Sequence, residues 1–147
     1  MKTLFVCKGN SFRSQIAEAI YNKLTDSRDA TSAGSYAGAA DEPEGSLIST
    51  INRSTEFVDF MQEKGFDLHA RRTVRLTPQM LADANVVISM AEEPWIPDFL
   101  KQFPGVIVWN VPDIPQGTPK EDQLTEIKRV YNQIESLVRA LVAVAEK

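Results

Sequence analysis

A single cysteine and an arginine six positions later hold most of the reactive chemistry in this chain. They lie in the stretch Phe5-Val6-Cys7-Lys8-Gly9-Asn10-Ser11-Phe12-Arg13-Ser14. The residues before Cys7 are apolar and β-prone, and those after Arg13 follow a helical pattern, so the loop joins a strand end to a helix N-terminus. Such a loop aims successive backbone N–H groups at one point and adds the positive end of the helix dipole. Lys8, Gly9, Asn10, Ser11 and Phe12 are the cradle positions. Arg13 supplies a planar pair of donors suited to a tetrahedral oxyanion. In that field Cys7 is expected to release its proton readily and act as a nucleophile. The competing reading is a buried structural thiol, since free cysteine often packs as a small apolar residue. That reading leaves Gly9, Asn10 and the Arg13-Ser14 pair without a purpose.

The elements that must position these groups alternate in type. Lys2 to Val6 reads as a strand buried on both faces. Ser14 to Leu24 follows as a helix, with Ile16, Ala17, Ile20 and Leu24 on one face. Asp29 to Ser32 is a second strand, and Ala33 to Gly38 is a loop of small residues and glycine. The segment from Asp41 to Arg53 opens with an acidic Pro/Gly loop and carries Leu47, Ile48 and Ile51 at the spacing of a short helix. Phe57, Val58 and Met61 mark another helix, stopped at Gly65. Thr77-Pro78-Gln79 begins a third, with threonine as cap and proline in the first turn. Ala84 to Met90 is a further strand. Pro94 to Lys101 holds a short helical piece, and Gly105 to Trp109 is the last strand. After the proline-rich loop from Asn110 to Pro119, Thr118-Pro119-Lys120-Glu121 reads as a capping box. The helix it opens carries Leu124, Ile127, Tyr131, Ile134, Val138 and Leu141 along one stripe. Strands with continuous apolar runs, separated by helices, indicate an α/β fold with a parallel sheet. Ligands bind such sheets beyond the carboxyl ends of the strands, where Cys7 and the loop after Trp109 both lie.

Composition narrows the function classes. The chain has 147 residues, 43% of them hydrophobic and 24% charged, which suits one soluble domain over 1–147. A net charge of −4 without a Lys/Arg cluster argues against nucleic acid as a partner. The lone cysteine precludes an internal disulfide and suits a reducing compartment. No apolar run is long enough to span a membrane or act as a signal peptide, so a cytoplasmic location without membrane association is expected.

Val6-Cys7-x-Gly9-Asn10-x-x-Arg13-Ser14 resembles the signature of the low-molecular-weight protein tyrosine phosphatases, whose fold is shared with thiol-dependent arsenate reductases. Further matches run along most of the chain: Ile16-Ala17-Glu18-Ala19, Ser32-Ala33-Gly34, Gly65 to His69 with Arg72, Val86 to Met90, and Val111-Pro112-Asp113. The resemblance implies a four-stranded parallel sheet of order 2-1-3-4 flanked by helices. It also implies hydrolysis of a phosphorylated protein or small phosphomonoester, foremost phosphotyrosine or a small aryl phosphate, through a cysteinyl-phosphate, with no cofactor and no metal. Within that implication Cys7 attacks phosphorus, the loop amides with Arg13 hold the equatorial oxygens, and Asp113 serves as general acid. Asp113 alone reads as an ordinary turn aspartate; its place in the family pattern gives it the acid role. Asn10, Ser14, Ser32 and His69 resemble the family's supporting network, with His69 expected to bond across to the loop.

The chain departs from that pattern in several places. Phe12 stands where the family usually has a second cysteine, which removes a disulfide partner for an oxidised Cys7. Asp113-Ile114-Pro115 replaces a direct Asp-Pro, and one aromatic wall for a phosphotyrosine ring is missing; Phe12 and Tyr36 are the candidates to supply apolar surface instead. Gln15 and Asn85 also differ from the usual residues. Two other functions use the same cradle: arsenate reduction or arsenate-thiol transfer with an external thiol as partner, and phosphate binding without catalysis.

Overall fold

The computed structural model describes residues 1–37, 44–51 and 54–145; Gly38, residues 41–43 and Arg53, named above, lie outside them. Four strands, β1 (Thr3–Cys7), β2 (Ala30–Gly34), β3 (Val86–Ser89) and β4 (Ile107–Val108), form one parallel sheet of order β2-β1-β3-β4. Among the described residues, five helices flank it: α1 (Arg13–Thr25), α2 (Ser54–Glu63), α3 (Pro78–Asp83), α4 (Asp98–Lys101) and α5 (Lys120–Ala145). The expected strand order and class are those observed.

β1 is central because every one of its side chains is apolar or small enough to be buried. Alternation along a strand sends Leu4 and Val6 to one face and Phe5 and Cys7 to the other. The first face is covered by Leu76, Leu81 and Leu100, which come from α3, α4 and the segment before them. The second is covered by α1, α2 and α5 through Ile16, Ile20, Phe57, Met61, Ile127, Ile134 and Val138. Burying each such aliphatic side chain contributes about 1.5–3 kcal/mol. The long stripe on α5 thus secures α1, and with it the helix start beside Cys7.

Local boundaries shift for identifiable reasons. β1 extends one residue to Cys7, paired with Gly34 of β2. The expected short helix near Ile48 is a single 3-10 turn, Ile48–Thr50. α2 ends before Gly65, whose φ of +94° suits glycine. Thr77 caps α3 by accepting the Met80 N–H at 3.3 Å. Thr118, in contrast, turns its hydroxyl back to donate to the Pro115 carbonyl at 2.6 Å, and α5 begins at Lys120. That hydroxyl thereby closes the turn before α5 instead of forming the expected capping box.

Candidate active site

The loop from Lys8 to Phe12 is held by the strand next to it. Ser35 and Tyr36 donate their backbone N–H groups to the Cys7 and Lys8 carbonyls, each at 2.8 Å. Gly34 lies so close beneath the loop that a Cβ there would meet the Gly9 carbonyl carbon at 2.8 Å and the Asn10 nitrogen at 2.9 Å. The glycine is required by space. Asn10 sits at φ +59°, a left-handed conformation that its short polar side chain tolerates. Among the described residues, no hydrogen bond occupies the backbone N–H of Gly9, Asn10, Ser11 or Phe12. Unpaired donors entering the 13-residue helix α1 are a ready anion cradle.

Behind the cradle, a buried chain of side chains reaches the sulfur. The Asn10 amide nitrogen donates to Ser14 Oγ at 2.8 Å and to Ser32 Oγ at 2.9 Å, using both its hydrogens. Its oxygen accepts from the Val74 N–H at 2.8 Å and from Gln15 Nε2 at 3.3 Å. Ser32 passes its own hydrogen to Glu18 Oε1 at 3.0 Å. Ser14 Oγ in turn lies 3.0 Å from Cys7 Sγ, placed to donate its hydrogen to a thiolate there. Arg71 ends the chain, pairing with Glu18 and donating from Nε to Gln15 Oε1 at 3.2 Å. Burial raises the Glu18 pKa above the usual carboxylate value, against the pull of Arg71 and Ser32.

Arg13 is 2% exposed and ties three segments together. Its Nη1 donates to the Met90 carbonyl at 2.8 Å and the Val111 carbonyl at 2.9 Å, and lies 2.9 Å from Glu92 Oε1. Its Nη2 is 3.8 Å from Asp113 Oδ2. Burial works against the guanidinium charge, but Cys7, Asp113 and Glu92 outweigh it and raise the Arg13 pKa. Asp113 is 38% exposed, and its Oδ1 accepts the Ile114 N–H at 2.8 Å. Cys7, Lys8, Gly9, Ser11, Phe12, Arg13 and Asp113 all line one open cavity of about 1040 Å³. A thiol, a run of unpaired N–H groups, a buried cation and a part-exposed carboxyl thus face a common space.

Several expected residues fall elsewhere. Asn10 and Ser14 are fully buried behind the cradle. Phe12 lines the cavity, but its ring packs edge-on against Phe57 at 4.9 Å and is 9% exposed. Tyr36, 40% exposed, has its ring against Trp95 at 4.6 Å and lies outside the lining that the described residues form. His69 does not reach the loop. Asp67 Oδ1 accepts its backbone N–H at 3.0 Å and lies 2.8 Å from its ring Nδ1, a local aspartate turn that leaves the ring 58% exposed. Arg71, two residues on, reaches α1 instead, at Glu18 and Gln15. Sequence reasoning missed Glu18, Arg71, Glu92 and Trp95, whose ring lies 4.2 Å below Lys8 Nζ. Only Glu18 carried a signal, since it follows Ser14 by four residues on one helix face.

A family model described as low molecular weight phosphotyrosine protein phosphatase matches residues 2–147. No curated protein matches the chain significantly. Among solved structures, a low molecular weight protein tyrosine phosphatase from T. tengcongensis is 26% identical, with a TM-score of 0.64 over 95% of this chain and 99% of its own. An arsenate reductase in its phosphate-binding state is 27% identical, with a TM-score of 0.67 over 97% and 98%. Wzb of Vibrio vulnificus, solved with benzylphosphonate, is 21% identical, with a TM-score of 0.73 over 95% of both chains, and bears on the fold alone.

Proposed function

The chain belongs to the low-molecular-weight phosphotyrosine protein phosphatase family, and from that premise we propose that it hydrolyses phosphomonoesters, aryl phosphates among them, through a cysteinyl-phosphate. The observation that carries the reading is the run of unpaired N–H groups from Gly9 to Phe12, set between Cys7 and the buried Arg13. A phosphoryl group seated there has its equatorial oxygens on the loop amides and on the guanidinium nitrogens that Met90 and Val111 leave free. Cys7 Sγ forms the P–S bond as the ester P–O bond breaks, and Asp113 delivers a proton to the leaving oxygen. Asp113 then takes a proton from water, which attacks phosphorus, breaks the P–S bond and releases phosphate. The Ser14 hydroxyl, already aimed at the sulfur, stabilises it as nucleophile and as leaving group.

The test is hydrolysis of p-nitrophenyl phosphate at mildly acidic pH. Turnover is expected for the native chain and absent from Cys7→Ser, while Cys7→Ser still binds phosphate. Absence of Cys7-dependent turnover overturns the proposal. Similarity to the phosphate-bound arsenate reductase supports a second reading, in which an external thiol reduces arsenate held in the same cradle. Arsenite formed only when a small thiol and a glutaredoxin-type protein are supplied would favour it.

A further inference from the structure

Beyond the cradle, the cavity is walled mostly by hydroxyls, amides and charges, with Ile51 and Pro115 as the aliphatic members of its lining. Ser46 and Thr50 stand on the side of α2, with Glu56 in its first turn; Gln116, Thr118 and Lys120 stand on the side of α5. Among the described residues, Phe12 is the one aromatic in the lining, and its ring is committed edge-on to Phe57. Tyr36 and Trp95 lie outside the lining, ring against ring, with Trp95 beneath Lys8. The segments 38–43 and 52–53 contain no aromatic residue to complete a wall. A phenyl ring entering this space would strip water from polar groups and return no hydrogen bond to them.

We propose that the leaving-group side of the cavity is built for a hydroxyl-rich aliphatic phosphate, chemically a sugar phosphate, in preference to a phosphorylated aromatic ring. The inference rests on the reading of Cys7 to Arg13 as a phosphate cradle. Each sugar hydroxyl both donates and accepts. Glu56 is an acceptor and Lys120 a donor, and among the described residues neither is taken up by a hydrogen bond or ion pair. Gln116 offers both functions. Asp113 suits such an ester as well, because an alkoxide is more basic than a phenoxide and depends more on proton delivery as it leaves.

Calorimetric titration of the full-length Cys7→Ser chain separates recognition from leaving-group reactivity. Glucose 6-phosphate is expected to bind about tenfold more tightly than inorganic phosphate, the equivalent of one good hydrogen bond to a charged group. O-phosphotyrosine should bind no more tightly than inorganic phosphate. Adding Glu56→Gln should bring glucose 6-phosphate back toward the affinity of inorganic phosphate. Tighter binding of O-phosphotyrosine than of glucose 6-phosphate, or equal affinity for glucose 6-phosphate and inorganic phosphate, overturns the inference. In either case Cys7-dependent turnover of p-nitrophenyl phosphate by the native chain leaves the hydrolase reading standing. Failure of every ligand to bind, together with absent turnover, removes both.

Discussion

The two sides of the cavity are built to different standards. On the cradle side, each buried side chain is fixed by at least one neighbour: Asn10 bonds four groups, Ser32 hands a hydrogen to Glu18, and Gly34 leaves no room beneath the loop. On the acid side, Asp113 is 38% exposed and held by the next residue's N–H. The turn that follows is closed by Thr118 on Pro115 and by Gln123 on the Thr118 carbonyl. On the proposed function, the contrast follows from what each side must meet. A phosphoryl group is the same in every substrate and rewards a rigid, preorganised site. A leaving group varies, so selectivity falls to the less constrained side.

Substitutions on each side sharpen this contrast. The largest effect after loss of the nucleophile is expected at the acid: Asp113→Asn should slow p-nitrophenyl phosphate turnover by about 10²–10⁴-fold, with phosphate affinity little changed. A steady-state kcat near the native value would show that the acid lies elsewhere. Next comes the tight cradle. Gly34→Ala pushes a methyl into the loop backbone and should cost about 1–3 kcal/mol of stability, read from urea unfolding. Displacing the donors should also lower kcat by about 10²-fold. Gly117, on the acid side, has φ +81°, and a Cβ added there would meet nothing within 4 Å. Gly117→Ala should therefore cost only the strain of a left-handed backbone, about 1–2 kcal/mol, with a far smaller loss of rate. Equal kinetic damage at the two glycines would erase the distinction between the sides.

The smallest effect is the pH dependence behind the cradle. Glu18 has its pKa raised above 4.5 on folding, mainly by burial. The stability tied to its protonated form is complete below the unfolded value and is lost as pH rises through the folded one. Relative to Glu18→Gln, the native chain should lose stability as pH climbs from 4.5 into that range. Urea midpoints for both chains across that range test the sign, and a rising difference would reverse the role assigned to burial.

Much of this arrangement was legible from local pattern. The run from Cys7 to Arg13, the Asn10-Ser14 pair, the alternation of strands and helices, and the Gly65 and Thr77 helix boundaries all depend on near neighbours in sequence. What escaped depends on tertiary choice. His69 and Arg71 are two residues apart in a turn, and which of them faces the buried Glu18 is decided by the path of the turn set at Asp67. Tyr36 lies in a loop whose direction is fixed by its N–H bond to Lys8, which sends the ring to Trp95. Glu92 meets Arg13 only because the end of β3 lies beside the end of β1. Such pairings join residues far apart in the chain and leave no periodic trace.

The guanidinium of Arg13 has one nitrogen, Nη1, turned inward to the Met90 and Val111 carbonyls, while Nη2 lies 3.8 Å from Asp113 Oδ2. Through Val111 that inward nitrogen is anchored two residues ahead of Asp113. On the proposed function, a phosphoryl group that grips the remaining nitrogens grips a side chain already joined to the Asp113 loop, and the joint is planar and stiff. Loading the cradle and setting the acid become a single mechanical event, transmitted through one flat group. Shortening that link to the point charge of a lysine would uncouple the two even where the positive charge survived.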